Sequence, residues 1–291
     1  MSKLIVKPRP APDDEGNVLR ITPESAGWAH VGFEVYRLEP GATLRRATEE
    51  REACLVLLGG VADVTTSSGS QWQRIGRRMS VFEKIPPFSV YVPSGDEFTL
   101  TARSELRLAV CWAPGMGSAE ARLISPEQTA VEHRGEGVTA RLIHHILPET
   151  EAADSLLVVE VFTPAGHWSS FPPHKHDRDA LPDESLLEET YYYEVSPKQG
   201  FAVQRVYTDD RSLDETLAVN DGEVVLVPEG YHPVSAPPGY EVYYLNVMAG
   251  PRRTWRIAND PAHAWLVPGA PVGEGAIDEA TKRNSGGIRR N

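Results

Sequence analysis

The 291-residue chain carries 41 acidic and 29 basic side chains, which gives a formal net charge of −12 at pH 7. Such an acidic balance excludes nucleic acid and anionic membranes as expected partners. The two cysteines, Cys54 and Cys111, have apolar neighbours and do not form a disulfide framework. No segment has the apolar run of a signal sequence or a membrane span, so we expect a soluble cytoplasmic protein with reduced thiols.

Short apolar or alternating runs, separated by Gly, Pro, Asp and Ser, dominate the chain. Their length and their content of β-branched and aromatic residues predict β-strands. In chain order the predicted strands span 31–38, 53–58, 89–92, 106–112, 156–162, 201–207, 223–227 and 240–247. Helical periodicity is confined to short stretches near 126–131 and 261–265. We therefore predict an all-β sandwich or barrel, because many short strands have few other ways to bury their faces.

The chain also contains an internal repeat. Residues 89–100 align with 224–235 through a shared Val-Pro-x-Gly turn, and residues 38–43 align with 162–167. Such self-similarity predicts two duplicated β-units. We expect a first unit over 1–125, a second over 126–268, and a flexible tail over 269–291, where the composition is rich in Gly and polar residues.

Three histidines of the second unit predict a metal site. His174 and His176 are two positions apart, and alternation along a strand makes them point the same way, as one shared ion requires. His232 follows the Val-Pro-Glu-Gly-Tyr turn. In the first unit Glu97 occupies the position of His232, and no histidine pair occurs at 44–46. We expect one divalent ion per chain, held by the second unit; the ligand types suit Zn, Mn or Fe, and also Ni or Co.

This pattern resembles the two histidine motifs of the cupin superfamily, and the repeat resembles a bicupin, a chain with two jelly-roll barrels. Further stretches resemble the 5-deoxy-glucuronate isomerases of inositol catabolism, which are relatives of 4-deoxy-L-threo-5-hexosulose-uronate ketol-isomerase. The most specific are Gly166-His-Trp-Ser-Ser-Phe-Pro-Pro-His-Lys-His-Asp177 and Glu189-Thr-Tyr-Tyr-Tyr-Glu194, together with 201–210, 225–240 and 243–251. The resemblance extends over most of residues 20–266 and is loose in the first half.

The resemblance implies that the carboxylate ligand opens the aromatic strand, which selects Glu189. The usual short spacing after the second histidine is expanded here to residues 177–188. Glu188 is therefore the main alternative, since boundaries read from a sequence are uncertain by a few residues. The remaining carboxylates of the region are Asp177, Asp179, Asp183, Glu184 and Glu194.

The resemblance also implies a sugar-acid substrate. A guanidinium binds two carboxylate oxygens at once, which favours Arg205 for the substrate carboxylate over Lys175 and Arg252. Strict alternation turns Lys175 away from the histidines. Side chains that could line a sugar pocket, or equally fill a barrel core, are Gln204, Tyr231 and Tyr243. Candidates for proton transfer are Tyr191, Tyr193 and Glu194. The other histidines have no matching partners and are expected to be structural or solvated.

The implied activity is an aldose–ketose isomerisation of 5-deoxy-D-glucuronate to 5-dehydro-2-deoxy-D-gluconate, in which a metal stabilises the enediolate. Two alternatives stay open. A cupin dioxygenase would use Fe or Mn in a drier pocket, and a non-enzymatic sugar-binding bicupin would hold a closed, structural metal. We also expect a homo-oligomer, because bicupins expose sheet edges and apolar faces.

Overall fold

The computed structural model describes residues 2–267, and β-strands dominate them. These residues contain one α-helix, α1 (Pro23–Ala26), and three 3-10 helices, Val81–Glu83, Gly137–Thr139 and Pro261–Leu266. The first half contains β1 (Ile5–Val6), β2 (Asn17–Ile21), β3 (Gly32–Leu38), β4 (Thr43–Ala47), β5 (Arg51–Gly59), β6 (Ala62–Thr66), β7 (Gln71–Ile75), β8 (Ser89–Val92), β9 (Glu97–Ala102), β10 (Leu106–Pro114) and β11 (Arg122–Ile124).

The second half contains fourteen further strands, several of them only two residues long. They are β12 (Ala130–Arg134), β13 (Arg141–Leu147), β14 (Leu157–Thr163), β15 (Trp168–Ser169), β16 (His174–Lys175), β17 (Asp177–Ala180), β18 (Glu184–Leu186), β19 (Glu188–Ser196), β20 (Phe201–Tyr207), β21 (Asp214–Asn220), β22 (Val224–Val227), β23 (Val234–Ser235), β24 (Glu241–Ala249) and β25 (Ala258–Asn259). The predicted helical stretch at 261–265 is a 3-10 helix, whereas the one near 126–131 is wrong because the chain there enters β12.

The two halves repeat one strand order. In the first half a six-stranded sheet, β11-β8-β5-β10-β3-β2, packs on a four-stranded sheet, β4-β9-β6-β7. In the second half a seven-stranded sheet, β1-β22-β19-β24-β14-β13-β12, packs on a four-stranded sheet, β15-β23-β20-β21. The order β8-β5-β10-β3-β2 thus recurs as β22-β19-β24-β14-β13. The all-β class and the duplication are confirmed.

Each large sheet has one further strand paired at its edge. β11 pairs with β8, and the N-terminal β1 pairs with β22 through Ile5 opposite Val225. Sheet membership otherwise changes between Ile124 and Ala130. The division into 1–125 and 126–268 stays a prediction, from which β1 departs, and the predicted tail over 269–291 lies outside the described residues.

Three apolar clusters form the core. One fills the first unit and one fills the second, while the third lies between the two large sheets and draws side chains from both halves. Strands such as β5 and β19 are therefore buried on both faces, which explains their nearly continuous apolar or aromatic sequences. Cys54 and Cys111 are buried and unlinked on neighbouring strands. Among residues 2–267 we find no helix with the length and hydropathy that crossing a bilayer would require.

Candidate metal centre

His176, Glu189 and His232 converge inside the second barrel. Glu189 Oε2 lies 3.1 Å from His176 Nε2 and 3.3 Å from His232 Nε2. All three side chains are buried, and their ligand atoms lie within 4.8 Å of one another. In the described part of the chain, no other group of His, Cys, Asp and Glu gathers its ligand atoms this closely. Three parts of the chain supply them: the single residue between β16 and β17, strand β19, and the segment after β22.

Backbone carbonyl groups orient the three imidazoles. The Nδ1 atoms of His174, His176 and His232 lie 3.1, 3.1 and 2.8 Å from the carbonyl oxygens of Pro172, Leu187 and Gly230. A carbonyl oxygen only accepts hydrogen bonds, so each Nδ1 carries a proton, and in a neutral imidazole the lone pair is then on Nε2. This is the arrangement that metal-binding histidines adopt.

Two observations show that the residues fit a divalent metal. His232 Nε2 is buried and has no hydrogen bond of good geometry among the described residues, although Glu189 is close. Burial raises the pKa of Glu189, although the hydrogen bond from His176 opposes this shift. A divalent ion in this position would bind both the Glu189 carboxylate and the unpartnered Nε2 of His232.

His174 lies at the edge of this group. Its ring centroid is 5.2 Å from that of His232, and its side chain is half-buried. Burial, and then the neighbouring His176, lower the pKa of His174 to about 4, so the imidazole is neutral and able to bind a metal at neutral pH. Its Nε2 is not among the closely grouped ligand atoms. A fourth ligand at His174 stays a prediction.

Glu188 and Glu189 point to opposite faces of β19. The Glu188 carboxylate accepts backbone N–H groups of Ala29, His30 and Val31 at 2.7, 2.7 and 2.9 Å. It therefore fastens β19 to the first half of the chain. Because this carboxylate is turned away from the histidines, the alternative that Glu188 is the metal ligand is wrong.

Lys175 and Tyr231 form a separate cluster. Lys175 Nζ lies 2.6 Å from Asp177 Oδ1 and 3.1 Å from Asp209 Oδ2, with Glu184 3.7 Å away. Tyr231 donates its hydroxyl to Asp209 at 2.7 Å. These contacts use both side chains away from the histidines. The structure therefore corrects the assignment of Lys175 and Tyr231 to substrate binding. For Lys175 the reason is strand alternation, which turns its side chain away from the histidines.

Gln204 and Arg205 are neighbours on β20 and face opposite ways. Gln204 is buried in the barrel, where it accepts the hydroxyl of Tyr193 at 2.9 Å and donates to the carbonyl oxygen of His232 at 3.3 Å. Arg205 lies on the exposed side and binds Asp214 through two hydrogen bonds of 2.8 and 2.7 Å. The structure therefore corrects the assignment of Arg205 to the substrate carboxylate.

The candidates for proton transfer also lie on opposite faces of their strand, β19. Tyr191 and Tyr193 stack on each other on the face that carries Glu189, and the ring of Tyr191 contacts that of His232 at 5.7 Å. Glu194 lies on the opposite face, where it forms an ion pair of 2.5 Å with Arg107 of the first half. Its assignment to catalysis is corrected, because the carboxylate lies in the contact between the halves.

Tyr243 is likewise turned into the contact between the halves. Its hydroxyl donates to Glu160 at 2.9 Å, and its ring packs against Phe162. The next residue along β24, Tyr244, faces the barrel interior instead and contacts Tyr191 with ring centroids 5.0 Å apart. The structure thus replaces Tyr243 by Tyr244 as the tyrosine of this strand that contacts Tyr191 and Tyr193.

A cavity of about 800 Å³ opens beside His174, a size that suits a small ligand. It is lined by Arg134, Glu136, Arg141, Phe171, His174 and Trp255, among others. Sequence reasoning missed Arg141. Its only sequence signal is a basic residue at the start of a strand, which is uninformative until the pairing of β12 with β13 is known. The hydroxyl of Ser170, 3.0 Å from that of Tyr191, was missed as well.

Comparison with known proteins agrees with this architecture. The KduI/IolB family model matches residues 4–266. A 5-deoxy-glucuronate isomerase of Geobacillus kaustophilus is 62% identical over 267 residues, which cover 92% of this chain and 96% of that protein. The corresponding protein of Geobacillus thermodenitrificans is 63% identical over 267 residues, with coverage of 92% and 97%.

Solved structures extend the comparison to the fold. The crystal structure of an IolB-like protein from Salmonella typhimurium has a TM-score of 0.87 and 52% identity, covering 91% of this chain and 99% of that chain. Oxalate decarboxylase of Lactobacillus farciminis has a TM-score of 0.62 at 12% identity, covering 89% of both chains, and shows the fold alone. The predicted bicupin fold is confirmed. The family match over nearly the whole described chain and the high identities show that this protein belongs to the KduI/IolB family.

Proposed function

We propose that this protein is a metal-dependent 5-deoxy-glucuronate isomerase, which interconverts 5-deoxy-D-glucuronate and 5-dehydro-2-deoxy-D-gluconate. The observation that carries the proposal is the buried group formed by His176, Glu189 and His232, in which two imidazole Nε2 atoms face one carboxylate. The names and identities of the Geobacillus relatives support the substrate. A role in myo-inositol catabolism and a cytoplasmic location are parts of the same proposal.

Four residues would hold one divalent ion: His174, His176, Glu189 and His232. When bound, the ion would supply Lewis-acid chemistry that draws electron density from a substrate carbonyl. The carbonyl groups that accept from each Nδ1 keep the rings in place, so little reorganisation accompanies binding. Gln204 also helps to fix the positions of these side chains, because it links Tyr193 to the backbone of His232. Tyr193 is therefore a positioning residue.

The isomerisation moves a proton from the carbon beside the carbonyl to the carbonyl carbon, and a second proton between the two oxygens. Tyr191 is the candidate for the transfer between oxygens. Burial, followed by the nearby Glu189 carboxylate, raises its pKa well above the ordinary value, so its hydroxyl is protonated at neutral pH and starts as a donor. Ser170, hydrogen-bonded to it at 3.0 Å, can return a proton to the same hydroxyl.

The test combines metal analysis with an assay on 5-deoxy-D-glucuronate followed by NMR. Stripping the metal with a chelator is expected to abolish turnover, and adding a divalent ion is expected to restore it. Glu189→Gln should lower both metal content and turnover. Glu97→Gln, at the corresponding turn of the first unit, should change neither, because Glu97 pairs with Arg45 on the surface.

Three outcomes contradict the proposal. Unchanged turnover by metal-free protein excludes a metal-dependent isomerase. Oxygen uptake in place of isomerisation moves the assignment to a dioxygenase. A bound metal and bound sugar acid without any turnover indicate a non-enzymatic sugar-binding protein.

A further inference from the structure

One cationic side chain of the cavity lacks a counter-ion. Arg141 donates from Nη1 to the carbonyl oxygen of Thr139 at 2.9 Å, and within residues 2–267 it contacts no carboxylate. Its partner across the β12–β13 pairing, Arg134, is bound by Glu132 through two hydrogen bonds of 2.7 and 2.8 Å. The two arginines stand opposite each other, but only Arg134 has its charge compensated.

The surroundings of Arg141 favour a bound anion. The chain has an excess of twelve acidic side chains, so carboxylates are plentiful elsewhere. Arg141 is half-buried, and burial lowers the pKa of its guanidinium. The lining of the cavity includes two arginines and a single carboxylate, that of Glu136. Burial without a partner costs free energy that a bound anion would recover.

The remaining donors of Arg141 are suited to a planar anion. A guanidinium has five N–H donors in a fixed fork, and the bond to Thr139 occupies one of them. That bond also restrains the side chain, which lowers the entropy lost when a ligand binds. The fork matches a carboxylate, which accepts two parallel hydrogen bonds.

Arg141 and His174 line the same cavity. His174 leads to the buried metal ligands through its contact with His232. A sugar acid has its carbonyl carbon and its carboxylate at opposite ends of a short carbon chain. One ligand can therefore place the carbonyl end at His174 and the acid end at Arg141.

We propose that Arg141 binds the carboxylate of the substrate and so selects a uronate over a neutral sugar. This inference rests on the proposed isomerase function, and it names the residue that makes the reaction specific for a sugar acid. Arg141 holds the acid end, and the carbonyl end lies at His174, which borders the cavity and contacts His232. Arg134 stays paired with Glu132.

The experiment compares two aldoses, 5-deoxy-D-glucuronate and 5-deoxy-D-glucose, which differ only in carboxylate against hydroxymethyl. Arg141→Gln is expected to raise KM for the uronate by about 10- to 100-fold, the range for a lost hydrogen bond to a charged group. The kcat/KM for the neutral sugar should stay within about twofold. Arg141→Lys should recover part of the loss, since it restores the charge without the fork. Arg205→Gln, whose arginine is paired with Asp214 on the outer face, should leave both sugars unaffected.

A calorimetric titration with D-glucuronate provides a readout that does not need turnover. Wild type is expected to bind it at least about tenfold more tightly than Arg141→Gln, while metal content and melting temperature remain equal. Equal losses on both aldoses, or unchanged uronate binding in Arg141→Gln, overturn the inference. Wild-type protein that binds D-glucuronate through Arg141 but isomerises neither aldose contradicts the proposed function and leaves the carboxylate site standing.

Discussion

Arg78 and Glu160 form a buried bidentate ion pair that joins the two halves of the chain. Arg78 Nη1 and Nη2 donate to the two carboxylate oxygens of Glu160 at 2.7 and 2.8 Å. Neither side chain is more than 2% exposed. His144 Nδ1 and the hydroxyl of Tyr243 also lie within hydrogen-bond distance of Glu160, at 2.7 and 2.9 Å. This network explains why Tyr243 is turned away from the metal ligands.

Removing Arg78 is expected to destabilise the fold strongly. Arg78→Met leaves the Glu160 carboxylate buried without its cation, a loss of about 3–5 kcal/mol in the free energy of unfolding. Urea denaturation measures it. Arg77→Met is the control: its arginine pairs with exposed Glu127, and a surface pair contributes about 0–1 kcal/mol. Equal losses of unfolding free energy in the two variants would show that the buried pair stabilises the fold no more than the surface pair does.

The pH dependence of stability offers a second test of Glu160. Burial raises its pKa, but the charge of Arg78 and the hydrogen bonds from His144 and Arg78 outweigh burial, so the folded-state pKa lies below the ordinary value. A lowered pKa stabilises the fold above the unfolded-state pKa of about 4.3, and this contribution is lost as pH falls through the folded value. The difference in unfolding free energy between wild type and Glu160→Gln should therefore be constant near neutral pH and shrink in acid. A constant difference from pH 7 to pH 3 would contradict the lowered pKa.

Two adjacent glutamates should behave differently when neutralised. Glu189→Gln is expected to reduce metal content, measured by elemental analysis. Glu188→Gln should keep the metal but lower the free energy of unfolding by about 1–3 kcal/mol, because the three N–H groups of residues 29–31 lose a charged acceptor. If Glu188→Gln loses the metal while Glu189→Gln retains it, the assignment of the two faces of β19 is reversed.

The residues of the proposed metal site could be predicted from the sequence because they sit in local patterns. His174 and His176 are two apart, Glu189 opens a strand, and His232 follows a turn that the first unit repeats. Strand alternation could also have excluded two candidates at once. Gln204 and Arg205 are neighbours on one strand, so their side chains cannot both face the barrel interior. Glu194 is five positions from Glu189, so these two side chains lie on opposite faces of their strand.

Other features depend on information that no local pattern carries. Both faces of β19 and β24 are buried, one in the barrel and one against the first half, so apolar content does not distinguish Tyr243 from Tyr244. The proposed role of Arg141 in binding a carboxylate depends on strand pairing and on a cavity formed by segments that are distant in the sequence. The two-residue β1 is too short to show any periodicity, and its pairing with β22 follows from the tertiary fold.

The protein is expected to form a homo-oligomer. Strand β12 lies at the edge of the seven-stranded sheet, and Val131 on it is 52% exposed. Unpaired strand edges of this kind are commonly covered by a second copy in symmetric assemblies. Light scattering at micromolar concentration should report at least a dimer, and a monomeric mass would contradict the expectation.

Metal binding should stabilise the fold and should require only the second unit. An ion that binds only the folded chain adds about 2.7 kcal/mol of stability when its free concentration is 100 times Kd. Adding Zn, Mn or Fe to chelator-treated protein should therefore raise Tm, and elemental analysis should reach one ion per chain. The double variant His174→Ala, His232→Ala should lose this rise in Tm, because it removes two of the proposed ligands. Glu97→Gln should keep it, since the corresponding turn of the first unit has no histidine. Two ions per chain, or an unchanged rise in the double variant, would place the metal elsewhere.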